Sequence, residues 1–96
     1  MASSKEFLNF VLEQLSQLPD ITYRAMMGEY IIYYRGKVIG GIYDNRFLIK
    51  PTESALKILS NARIEIPYPG GKPMIMIPDI ENQELLIKIF NAMYSE

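Results

Sequence analysis

Short runs of β-branched and aromatic residues, separated by turn-forming pairs, fill residues 21–50 and constrain the fold more than any other feature. The residue types predict four strands, over residues 21–25, 30–34, 37–43 and 46–50. Arg35-Gly36 and Asp44-Asn45 are predicted as tight turns, because Gly, Asp and Asn tolerate the left-handed backbone of a two-residue hairpin. Such close spacing indicates an antiparallel meander.

Helical patterns flank the meander. An apolar stripe over residues 4–18 predicts a first helix, with Ser3 as N-cap, Glu6 completing a capping box, and Pro19 as the stop. A second helix is predicted after Thr52, and a third from an Asp79 cap to about Tyr94, with short strands at 63–67 and 74–77 between them. The order α-β(3-4)-α-β(2)-α predicts an α+β fold, an antiparallel sheet with flanking helices.

The amino-acid composition excludes several classes of function. The 96 residues predict one domain, 1–96, and no apolar run has the length of a membrane span or a signal peptide. The chain has no histidine and no cysteine, which excludes Ser-His and Cys-His nucleophile pairs and the usual zinc sites. We therefore expect a non-enzymatic protein without metal or cofactor. The lack of cysteine is compatible with the expected cytoplasmic location.

Charge is unevenly distributed along a chain whose net charge is −1. Residues 22–50 contain five cations, Arg24, Arg35, Lys37, Arg46 and Lys50, and only two carboxylates, Glu29 and Asp44. Solvated surface is the simplest interpretation. One alternative is a nucleic-acid-associated module, in which interleaved tyrosines stack bases and the cations hold phosphates. A second alternative is an enzyme without cofactor that uses Arg24, Lys50 or Glu29 in a cleft.

Two local features suggest packing rather than chemistry. Gly40-Gly41 lies inside a predicted strand, where a bulge or the close approach of a helix would explain the missing side chains. Gly70-Gly71-Lys72 is followed by Pro73 and lacks the upstream glycine of a phosphate-binding loop. We interpret it as a solvated hairpin loop.

The third predicted helix has more apolar side chains than one core-facing stripe uses. Either the helix is buried on two sides, or its spare face meets a second chain. We expect a homodimer that forms through this helix or through a sheet edge. The candidate dimer residues are Leu86, Ile89, Phe90 and Met93.

An ordered series of landmarks runs along nearly the whole chain. It consists of Phe7, Val11-Leu12 and Leu15, then Thr22 with Arg24-Ala25-Met26-Met27-Gly28-Glu29-Tyr30-Ile31-Ile32-Tyr33, Gly36-Lys37, Phe47-Leu48-Ile49-Lys50, and Tyr68 with Gly71-Lys72, Met76 and Pro78. This series resembles the N-terminal domain family of TfoX (Sxy), the bacterial competence regulator. Where the family usually has Met-Phe-Gly-Gly-Tyr-Gly, this chain has Met26-Met27-Gly28-Glu29-Tyr30-Ile31. The resemblance implies a fold similar to type III secretion chaperones and a regulatory or protein-binding role.

The resemblance also suggests which residues bind or anchor. Arg24 precedes an apolar turn, where its guanidinium would bond loop carbonyls or a partner's carboxylate. The complete set of candidate partner-binding or anchor residues is Arg24, Gly28, Tyr30, Lys50 and Lys72. We therefore expect a small regulatory or protein-interaction domain with a protein partner.

Overall fold

The computed structural model describes residues 3–96, and its elements follow the predicted order. They are α1 (Lys5–Gln14), β1 (Ile21–Met26), β2 (Glu29–Tyr34), β3 (Lys37–Tyr43), β4 (Arg46–Ile49), α2 (Glu53–Ile58), β5 (Ile64–Glu65), β6 (Met74–Met76) and α3 (Gln83–Tyr94). Each helix is shorter than the sequence pattern predicts, and the central strands match it within one or two residues.

All six strands form one antiparallel sheet in the order β1-β2-β3-β4-β6-β5. The first four strands are consecutive, whereas α2 carries the chain across to β5, and β6 returns between β4 and β5. The predicted α+β fold is confirmed. The first strand-like run, which the sequence left uncertain, joins the sheet as an edge strand.

Three hairpins of the meander share one turn geometry. Arg35-Gly36 and Asp44-Asn45 have positive φ at both positions, as predicted. The same holds for Met27-Gly28, with φ of 52° and 85°, although the sequence did not identify it as a tight turn. A methionine tolerates this conformation poorly. Its presence shows that strand pairing on both sides outweighs the local preference.

Two of the predicted helix caps are wrong. Ser4, not Ser3, caps α1 by accepting a hydrogen bond from the Phe7 amide at 3.1 Å. The Ser3 hydroxyl is unavailable because it is bonded to Glu29. Asn82 rather than Asp79 caps α3, since residues 79–82 form a separate turn closed by the Asn82 amide and the Asp79 carbonyl at 3.1 Å. The predicted Thr52 cap of α2 is confirmed.

The core lies between one face of the sheet and the three helices. Alternate strand residues supply the sheet side, including Ile32, Tyr34, Phe47 and Ile75. Tyr34 is the largest of the fully buried side chains, and its hydroxyl donates to Asn91 Oδ1 at 2.7 Å. This bond ties the meander to α3 and satisfies the polar atom that burial would otherwise leave unpaired.

The glycine pair in β3 has the structural role that its position suggested. The register shifts between Ile32 and Tyr33, which pair with Gly40 and Val38, so Ile39 is an extra residue in a β-bulge. A Cβ on Gly40 would come within 2.6 Å of the Ile49 Cα. The predicted bulge is confirmed, and β3 and β4 pack closely because no side chain separates them.

The candidate dimer surface on α3 needs correction. Leu86, Ile89 and Phe90 are fully buried and Met93 is nearly so, all within the core of the chain itself. The helix is sandwiched, with α2 on one side and the sheet on another. Its apolar surplus is therefore used within one molecule, and a dimer would have to form elsewhere.

Candidate functional site

The sheet face opposite the helices is open near β1 and β2, whereas Leu48 on the same face is fully buried. Strand register aligns one row of residues across this face, from Arg24 through Ile31, Gly41 and Leu48 to Met76. The core residues of the three helices pack on the other face. Ile31, Tyr33 and Val38 are only half-buried, so the open face near β1 and β2 presents apolar surface to solvent.

The edge strand β1 is the most exposed element of the sheet. Every residue after Ile21 is exposed, and its pairing with β2 runs without interruption from Ile21 to Met26. The tight turn at Met27-Gly28 makes Met26 and Glu29 a hydrogen-bonded pair, and the Arg35 amide donates to the Asp20 carbonyl at 3.0 Å at the other end. Between these two ends, every second residue of β1 exchanges backbone hydrogen bonds with β2, and the residues that alternate with them do not. The backbone groups of Ile21, Tyr23 and Ala25 therefore point outward along a free edge.

The opposite edge is protected. Strand β5 has only two residues, Ile64 and Glu65. Glu65 is held by Arg46 at 3.1 Å and by Arg63 at 3.0 Å. Short length and local charge are the usual devices that prevent strand addition. Strand β1 has neither proline nor bulge and carries one charge, Arg24, so the two edges differ strongly in their readiness to pair.

A hydrogen-bonded network around Glu29 closes the end of the sheet where β1 turns into β2. The Ser3 amide and hydroxyl donate to Glu29 Oε1, and the Asp44 amide donates to Oε2 at 3.1 Å. The Ser3 hydroxyl also accepts from the Asn45 amide at 3.0 Å. One carboxylate thus joins the chain start to two hairpin turns.

A concavity of about 570 Å³ lies next to this network. Its lining is aromatic and sulfur-rich with one charged group: Met26, Met27, Glu29, Tyr30, Ile31, Tyr43 and Tyr68. The Tyr43 and Tyr68 rings lie 6.0 Å apart, inclined at 53°. Gly41 makes room for this arrangement, because a Cβ there would meet the Tyr43 ring at 2.8 Å.

The electrostatics of the concavity are set by its burial and its carboxylate. Burial raises the pKa of the Tyr43 phenol, and the nearby Tyr68 and Glu29 raise this pKa further. Each cause disfavours a second negative charge at this place. The concavity therefore favours the neutral phenol of Tyr43, and the carboxylate of Glu29 would repel an anion.

The structure scatters the candidate binding residues. Gly28 forms the turn beside the concavity and its carbonyl accepts from the Ser3 amide at 3.0 Å, while Tyr30 lines the concavity. Arg24, Lys50 and Lys72 are exposed on separate elements. Within residues 3–96 the Arg24 guanidinium has no hydrogen bond or ion pair, so the expected bonds to loop carbonyls are not formed there, and its bonding to a partner's carboxylate stays a prediction.

The anchoring arginine is instead Arg46, which sequence reasoning did not select. Its Nε donates to the Tyr43 carbonyl and its terminal nitrogens donate to Glu65 and to the carbonyls of Ile66 and Pro67, all at 3.1 to 3.2 Å. Tyr43 and Tyr68 were also missed as concavity residues. The available signal was the spacing of Tyr43 after Gly41, since residues two apart in a strand share a face.

The geometry gives no support to the two alternative functions. Three of the five cations in residues 22–50 are occupied: Arg35 lies over the Tyr34 and Tyr94 rings, Lys37 donates to the Met93 carbonyl, and Arg46 is bonded as described. Arg24 and Lys50 are separated by β2 and β3. They form no continuous basic surface, and neither lines the concavity that contains Glu29.

Comparisons with known proteins match this chain to a family profile and to a curated protein. The family profile of the TfoX N-terminal domain matches residues 13–88, about four-fifths of the chain. A similar protein is the uncharacterized 12.7 kDa protein in the trpE 5′ region of Spirochaeta aurantia, 35% identical over 80 residues, which cover 83% of this chain and 70% of that protein. Among residues 3–96, no helix is long and apolar enough to cross a membrane, and no acidic cluster is arranged to hold a metal ion.

Proposed function

The chain belongs to the TfoX N-terminal domain family, and from that premise we propose that it is a non-enzymatic regulatory domain that binds protein by adding a strand to β1. The free edge of β1 is the observation that carries the proposal. Ile21, Tyr23 and Ala25 direct three amides and three carbonyls outward. Such an edge is a template for strand addition. A cytoplasmic location belongs to the same proposal.

The added strand that fits best is β1 of a second copy. In an antiparallel pair centred on Tyr23, Ile21 faces Ala25 of the second copy and the two Tyr23 rings lie side by side. Arg24 then faces Thr22 of the second copy rather than another arginine. Pairing centred on Arg24 would set like charges directly opposite each other and is disfavoured.

The expected affinity is modest. Self-pairing forms roughly six backbone hydrogen bonds, each contributing about 1 kcal/mol net. Lost translational and rotational freedom offsets much of this gain. Six such bonds alone would correspond to about 40 μM before this offset, so with some added apolar contact we expect a dissociation constant of about 0.1 to 1 mM. Exposed side chains at the edge, Tyr23 and Met26, add apolar contact.

Light scattering and sedimentation over that concentration range test the pairing. Ala25→Pro removes the outward amide while leaving the hydrogen bonds to β2 in place, and an edge position tolerates proline. Ala25→Thr is the matched control, because it keeps the amide and favours strand structure. We expect the wild type and the Thr variant to dimerise and the Pro variant to stay monomeric.

Two results would refute strand addition between copies. One is a wild-type protein that remains monomeric up to about 1 mM, above the range estimated for this edge. The other is equal association of the Pro and Thr variants. Circular dichroism on the same samples verifies that the Pro variant is folded.

A further inference from the structure

The concavity between the β1–β2 turn and Tyr68 has the chemistry of a cation site. We propose that it binds a small organic cation, a methylated ammonium group attached to an apolar body. The walls contain the rings of Tyr43 and Tyr68 and two methionines, and the only charged residue among them is Glu29. This inference does not rest on strand addition: Met26 lines the concavity, but Ile21, Tyr23 and Ala25, which carry the outward backbone groups of β1, do not.

The tyrosines supply the faces that attract a cation. Tyr43 and Tyr68 form an inclined corner with ring centroids 6.0 Å apart, whereas the Tyr30 ring packs on Tyr23 and the core and contributes only its backbone here. The face of an aromatic ring carries negative quadrupole density, and a cation within about 6 Å of a ring centroid is attracted to it. Methylated ammonium groups suit such walls, because their methyl groups also make apolar contact with tyrosine and methionine.

Glu29 supplies a fixed negative charge at the wall. Its carboxylate accepts hydrogen bonds from the Ser3 amide, the Ser3 hydroxyl and the Asp44 amide. These donors are neutral, so they hold the carboxylate in position without cancelling its charge. A carboxylate has about four acceptor positions, so capacity remains for a ligand. The same negative charge contributes to the raised pKa of Tyr43.

The surroundings argue against other ligand classes. No cation belongs to the lining: Arg46, which lines an adjoining hollow with Glu29 and Tyr68, is paired with Glu65, and Arg24 lies beside Ile31 without lining the concavity. A neutral apolar ligand would desolvate Glu29 without compensating its charge, which is costly. A volume of about 570 Å³ is within the range of small-molecule sites. A compact organic cation meets all of these conditions.

Titration of the isotope-labelled protein by NMR tests the site with defined probes. Benzyltrimethylammonium is the cationic probe, and benzyl alcohol and benzoate are neutral and anionic probes of similar shape. We expect the cation to shift the amide signals of Met27, Glu29, Tyr43 and Tyr68 with saturation, and to bind about tenfold more tightly than either control. Equal binding of the three probes, or shifts outside these residues, would overturn the proposal.

Substitutions at Tyr68 separate ring chemistry from folding. Tyr68 is exposed, so its replacement leaves the core unchanged. Tyr68→Leu removes the ring and is expected to weaken the cationic probe about tenfold, whereas Tyr68→Phe keeps the ring and is expected to bind within about threefold of wild type. A Leu variant that binds as well as the Phe variant would show that the aromatic walls do not recognise the charge.

The methylated ammonium group has two possible sources. Choline represents a free small molecule, and a short peptide containing trimethyllysine represents a modified protein. Saturable binding of choline or of the trimethyllysine peptide, seen at the same amide signals, supports the site. The probe that binds more tightly identifies the source of the methylated ammonium group. If neither binds while the unmethylated lysine peptide does, the site recognises charge alone and the proposal fails.

Discussion

Arg46 is the single side chain whose removal should cost the most stability outside the core. It joins the end of β3 to the segment after β5 through four hydrogen bonds, one of them to Glu65. Arg46 and Glu65 are each only 22% exposed, so water replaces these bonds incompletely. The glutamine side chain of the Arg46→Gln variant is too short to reach the same partners.

The magnitude follows from the contacts. Four hydrogen bonds at about 1 kcal/mol net each, half of them recovered by water at a partly exposed site, give a loss of about 2 kcal/mol. For a chain of this length, that loss lowers Tm by about 8–16 °C. Urea unfolding followed by circular dichroism measures the free energy directly, with an unchanged m-value showing that the folded state is otherwise intact.

Arg63→Gln provides a control at the same carboxylate. Arg63 also pairs with Glu65, at 3.0 Å, but its side chain is 80% exposed. An exposed pair of this kind contributes about 0.5 kcal/mol or less. If the two glutamine variants lose the same stability within error, burial of the Arg46 contacts does not matter and the reasoning is wrong.

Three other outcomes are expected. Gly40→Ala should lower stability by about 3 kcal/mol or prevent folding, because its Cβ would press on the Ile49 backbone; a chemical denaturation curve like that of wild type would contradict this. Tyr34→Phe should cost about 1 kcal/mol by leaving Asn91 without its donor, and Asn91→Ala in the same background should add little. The pKa of Tyr43 is raised above 10.0, so the fold is stabilised below that pH and loses this stability as pH rises through the raised value; Tyr43→Phe should remove that part of the alkaline loss in pH-dependent unfolding.

The order of elements was predictable because its signals are local. Turn pairs such as Arg35-Gly36 and strand residues such as Tyr30–Tyr34 specify hairpins without reference to the rest of the chain. Helix caps were less predictable, since Ser3 and Ser4 both suit the position and a distant residue, Glu29, decides between them. The family resemblance was informative for the same reason, as its landmarks lie on these local elements.

The candidate site was mostly not predictable, because it depends on side chains from distant segments. Tyr43 and Tyr68 meet only after β6 inserts between β4 and β5. The sequence also could not show what covers the additional apolar side chains of α3, because the apolar pattern is the same whether a second chain or the sheet packs on them. The structure decides for the sheet by burying Phe90 against Phe47, with ring centroids 6.2 Å apart.

The position of α3 bears on how the protein is made. The meander of residues 21–49 can form from neighbouring hairpins while the chain is still being synthesised, but the helix that covers Tyr34 and Phe47 comes last in this sequence. Until Phe90 and Met93 leave the ribosome, the emerging sheet exposes an apolar face, with a pairing edge beside it. The nascent chain should therefore be most prone to aggregation just before α3 is complete, and slow translation at its codons would lengthen that interval.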